Sequence, residues 1–68
     1  MTPLDRRRWR VLQNDRRALT EYKAELEKLL QSASDSLDLI LDEIDNVEES
    51  LRQDEAALAR LALKYDLA

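Results

Sequence analysis

The sequence contains no cysteine, no histidine and no glycine, and a single proline among 68 residues. Each absence removes a class of chemistry. Without Cys or His there is no disulfide framework, no thiolate nucleophile and no zinc site of the usual kind. Without Gly there is no phosphate-cradling loop and no inexpensive turn of positive φ. Phenylalanine is also absent, and Trp9, Tyr22 and Tyr65 are the only aromatic residues. The longest unbroken apolar run is Ala56-Ala57-Leu58-Ala59, far too short to cross a bilayer. An arginine run lies near the N-terminus without an apolar stretch behind it, so no signal peptide is expected and a cytoplasmic location is.

What is present is charge and leucine. Charged residues make up 38% of the chain and apolar ones 44%, with a net charge of −4. The apolar residues are periodic, which separates this composition from that of a disordered tail. The charge is polarised along the chain. Residues 1–23 carry seven basic and three acidic side chains, a net of +4, whereas residues 24–68 carry four basic and twelve acidic ones, a net of −8. Such asymmetry points either to a binding tail or to two surfaces that attract each other.

Helical signals begin at once. Thr2 is an N-cap residue, Pro3 suits the first helical position, and Asp5 stands where the acid of a capping box belongs. A 3-4 seam follows through Leu12, Asp15, Leu19, Tyr22, Leu26 and Leu29. The stretch Gln31–Ser36 is rich in Ser and Asp, which compete with helix, and Ser34 or Asp35 is placed to cap a second helix. A cleaner seam then runs through Leu37, Ile40, Ile44, Val47, Leu51, Asp54, Leu58, Leu61 and Tyr65. Strand-like alternation is absent.

The expected fold is therefore all-α and one domain over residues 1–68: helix one about 3–31, a link about 32–36 and helix two about 36–66. The two helices form an antiparallel coiled-coil hairpin that assembles into a four-helix bundle. The alternative is a single long helix in a coiled coil, since a four-residue stutter across the link is tolerated. Folding the chain so that Leu29 meets Leu37 brings Lys23 to Glu48, Arg16 to Glu55, Leu30 to Leu41 and Trp9 to Ala62, so basic meets acidic and apolar meets apolar. That matching favours the hairpin.

Three constellations invite a chemical reading. The acids Asp35, Asp38, Asp42, Asp45 and Glu49 share one face of helix two, but a helix offers a hard cation neither bent backbone nor carbonyl ligands, so a solvated outer face is expected. Arg6, Arg10 and Arg17 form a basic face suited to a neighbouring acidic helix or, alternatively, to phosphates. Asp15 and Asp54 interrupt the two seams in adjacent layers. With no cleft and no second catalytic residue type, they read as a polar layer that sets register, bridged by Arg16, Arg52 or Asn14, and not as paired acid catalysis.

A lone hairpin has one seam, and Leu4, Trp9, Val11, Leu39, Leu41 and Leu63 exceed what it can cover, with Leu67 also pointing outward. These residues are the expected interface. In plan the chain resembles the small bacterial co-chaperones of type III secretion and the plasmid RNA-regulating bundle proteins. The likeness is one of architecture without a shared motif, and it implies no particular function.

The sequence thus points to a non-enzymatic interaction module, an adaptor, inhibitor, co-chaperone or assembly factor. Its expected partner is a second copy or a larger helical protein, with no cofactor, metal or small-molecule substrate. The alternative is a nucleic-acid-associated regulator that uses the arginine cluster.

Overall fold

A computed structural model describes residues 1–32 and 35–66. Two helices account for nearly all of them: α1, Pro3–Ser32, and α2, Leu37–Lys64. They pack against each other as an antiparallel hairpin, which removes the single long helix. The molecule is a rod of 49 × 17 × 14 Å.

The start of α1 is built as the sequence suggests, in part. The Asp5 backbone N–H donates to Thr2 Oγ1 at 3.1 Å, so Thr2 does cap the helix. The second half of a capping box is missing. The Asp5 carboxylate does not return to the Thr2 N–H; it crosses to α2, and the Thr2 N–H donates instead to the Tyr65 hydroxyl at 3.3 Å. At the head of α2 the cap is Ser36, not Asp35. Its carbonyl accepts the Ile40 N–H at 3.1 Å, while its side chain makes no capping bond. Ser34, the other expected cap, lies outside the described residues, as does Leu67.

Helix α2 ends at Lys64, with Tyr65 as its C-cap, close to the expected end at about residue 66. Asp66 then adopts φ 55°, a left-handed conformation that Asp tolerates better than most non-glycine residues. This terminates the helix as a glycine usually would, with the Tyr65 N–H on the Leu61 carbonyl and the Asp66 N–H on that of Leu63.

The core lies in the middle of the rod. Leu26, Ile44 and Val47 are buried together, and Leu19, Leu30, Ile40 and Leu51 pack around them. Leu58 and Leu61 are buried nearer the open end. On α2 this is the expected seam, apart from Leu37, which is exposed where no further element covers the tip.

Helix α1 differs. It is rolled so that Lys23 and Leu30 turn inward, while Asp15, Tyr22 and Leu29 of the expected seam stay exposed. Both candidate lines on α1 are mixed in character, and the rolled one takes Leu30 in place of Leu29. It also lays the Lys23 stem over the core while its ammonium reaches Glu48 at 3.2 Å. That ion pair is one the hairpin register called for. Arg16–Glu55 does not form; Arg16 donates to Gln13 at 3.3 Å instead. Among the described residues, no large side chain is wholly shielded from water.

Candidate functional site

At the open end, four side chains tie the two termini together. Asp5 is 5% exposed although it sits in the first helical turn. Its Oδ2 accepts from Lys64 Nζ at 2.8 Å and from the Tyr65 hydroxyl. The bond from Lys64 is the main reason its pKa falls to about 2, with Tyr65 second and burial opposing. Lys64 is correspondingly raised by the Asp5 carboxylate. Tyr65 thus sits at the seam's edge with its hydroxyl used, as expected for it, whereas Tyr22 is no core residue. Its ring is largely exposed and its hydroxyl donates to Glu43 at 3.3 Å. No local pattern in the sequence marks this clamp. Its only trace in the sequence is that Asp5 stands near the start of α1 and Tyr65 closes the α2 seam, which an antiparallel hairpin brings to one end.

Asp15 and Asp54 do come together. A hydrogen bond with Asp15, then burial, then the Asp15 charge push the Asp54 pKa up to about 6. The expected bridging cation is absent. Arg52 pairs with Glu49 at 3.1 Å, Arg16 is on Gln13, and Asp54 Oδ2 is buried without a hydrogen-bond partner. The two acids lie close together with no cation between them, and it is this proximity that raises Asp54.

Arg6, Arg10 and Arg17 are exposed. Among the described residues, none of these three, nor Arg7 or Arg8, forms an ion pair. Asp35, Asp38, Asp42, Asp45 and Glu49 likewise face water, and no metal-ligating group is found among the described residues.

The six expected interface residues do not share one face. Leu41 stands seven residues before Glu48, on the edge of the Lys23–Glu48 pair, and Leu63 points away from the seam. Trp9 is half-buried. Leu4 and Val11 belong to something larger that the sequence reading divided between seam and surface. Leu4, Val11, Ala18, Tyr22 and Leu29 recur at heptad-compatible spacings along α1. They are exposed by 67% at Leu4, 60% at Val11, 46% at Tyr22 and 54% at Leu29. The roll of α1 leaves this second stripe in water, on the edge where Tyr22 meets Glu43.

No known family model matches this sequence, and neither a curated protein nor a solved structure matches the chain. No helix among the described residues is long and apolar enough to cross a membrane.

Proposed function

We propose that this chain is a non-enzymatic protein–protein interaction module of the adaptor, inhibitor or assembly-factor kind. The observation that carries the reading is the apolar stripe of α1. An exposed line of Leu, Val, Tyr and Leu some seven turns long is costly to leave in water, and rows of this kind mark partner surfaces. The polarised charge supports it, because opposite ends of a rod orient an incoming helix. In this reading the paired aspartates, Asp15 and Asp54, are a polar layer between the helices and not a pair of catalytic acids.

The test compares the wild-type chain with Val11→Glu, whose helix content should be unchanged because Val11 is exposed. Wild type should bind a protein, whether itself or another, at micromolar concentrations, and Val11→Glu should lose that binding. Equal binding by both would remove the stripe from the interface. The second reading rests on the unpaired arginines: if nuclease treatment strips whatever the chain captures, the Arg6, Arg10 and Arg17 face is a nucleic-acid surface.

A further inference from the structure

The stripe is one edge of a complete 3-4 seam on α1: Leu4, Arg8, Val11, Asp15, Ala18, Tyr22, Glu25 and Leu29. Every member is exposed. Read in reverse, the seam matches itself. Leu4 stands against Leu29, Arg8 against Glu25, Val11 against Tyr22, and Asp15 against the small Ala18. A two-fold axis requires this property, since residue i must meet j while j meets i. Two identical helices in parallel would also stack the apolar members, but with Arg8 on Arg8 and Glu25 on Glu25.

The surroundings favour the same direction. Arg8 lines a cleft of about 260 Å³ with Asp5, Ala57, Arg60, Leu61 and Lys64, where three cations face one carboxylate. That excess of positive charge suits an incoming Glu25. Beside it, Arg7, Arg8, Val11 and Leu12 form a mainly apolar depression of about 260 Å³ at the position opposite Tyr22. Over the whole rod, residues 24–49 at the tip carry nine acids and one lysine, a net of −8, while the open end is basic. An antiparallel pair sets each basic end beside an acidic tip, whereas a parallel pair sets like against like.

We propose that the partner of this stripe is a second copy of the chain, docked antiparallel so that α1 packs on α1 and the two hairpins close into a four-helix bundle. The proposal rests on the interaction-module reading and names its occupant. The Arg8–Glu25 pairs select direction and register, and the four apolar positions supply the contact.

Because the chain has no cysteine, single-cysteine variants report the arrangement cleanly. Within one copy residues 4 and 29 are about 37 Å apart along α1, too far for a disulfide. A mixture of Leu4→Cys and Leu29→Cys chains should form a covalent dimer under mild oxidation, and neither variant alone should do so. Arg8→Glu should weaken the dimer by about tenfold or more, and adding Glu25→Arg to the same chain should restore it, helicity being constant throughout. Cross-linking by Leu4→Cys alone would replace the antiparallel dimer with a parallel one. A dimer in sedimentation equilibrium without the mixed cross-link would place its interface elsewhere. A folded monomer at all concentrations would overturn self-association. The interaction-module reading would still stand in that case if a host protein bound wild type and not Val11→Glu, and would fall with it if none did.

Discussion

Asp54 and Asp5 are perturbed in opposite directions, and each leaves its own mark on the pH dependence of stability. Asp54 is raised from 3.8 to about 6 by Asp15 and by burial. The folded state therefore holds a proton that the unfolded chain gives up, so acidification through about 6 towards 3.8 stabilises the hairpin. Asp5 is lowered to about 2 by Lys64 and Tyr65. Its contribution is present above 3.8 and is lost as the pH falls through about 2. The melting temperature should accordingly rise between neutral pH and about 5, then fall towards 2. Thermal melts across that range check the sign. Asp54→Asn isolates the first effect, since its amide can donate to Asp15 at any pH. That variant should melt higher than wild type at neutrality and show a smaller rise on acidification. An undiminished rise would assign the effect to general relief of the negative charge.

The two helices of the hairpin are unequally specified. In α2 the apolar line through Ile40, Ile44, Val47, Leu51, Leu58 and Leu61 has no rival, so its buried face follows from spacing. In α1 two neighbouring lines compete, and contact with α2 decides between them. Substitutions should reveal the difference between buried and wet faces. Ile44→Asp or Leu51→Asp places an unpaired charge in the seam and should unfold the chain or abolish its assembly. Asp42→Ala and Asp45→Ala alter exposed positions and should move the melting temperature little. Circular dichroism melts of the four variants settle the assignment, and similar losses at both pairs would mean that α2 buries a different face. Leu58→Ala offers a graded version. Removing a buried leucine costs about 2–5 kcal/mol. A domain of this size has only roughly 3–10 kcal/mol in total.

As a whole the molecule is a rod with a basic end and an acidic tip and little interior. Its exposed ion pairs are each worth little, so charge here adds little to stability, and its weight in the proposed dimer falls on orientation and encounter. Arg6, Arg10 and Arg17 belong to the field of the open end. Changing all three to Glu should weaken self-association while leaving the hairpin's own fold intact. Raising salt to about 1 M, where the screening length falls to about 3 Å, should weaken the proposed wild-type dimer modestly and affect the triple variant less. Sedimentation equilibrium at low and high salt measures both. A triple variant that dimerises normally yet loses a nucleic acid would turn the basic face outward, to an external ligand.

Much of this was determined by the sequence alone. Thr2 and Pro3 start α1, the Ser- and Asp-rich link separates it from α2, and the α2 seam and the Lys23–Glu48 match set the hairpin register. These features are local or periodic, so they can be read one helix at a time. The tertiary structure decided the rest. Asp5 looked like a capping-box acid, but its carboxylate serves Lys64 and Tyr65, about sixty residues away. Asp15 and Asp54 were placed in adjacent layers by spacing, yet only packing showed that no cation comes between them. The roll of α1 was undecidable from its own periodicity, because Tyr22 and Leu29 on one line are as apolar as Leu30 and the Lys23 stem on the other. Which line a helix buries depends on the shape of the surface it meets, and α2 supplies that surface. The same roll left Leu4, Val11, Tyr22 and Leu29 in water, because the one surface α2 offers can cover only one of the two lines.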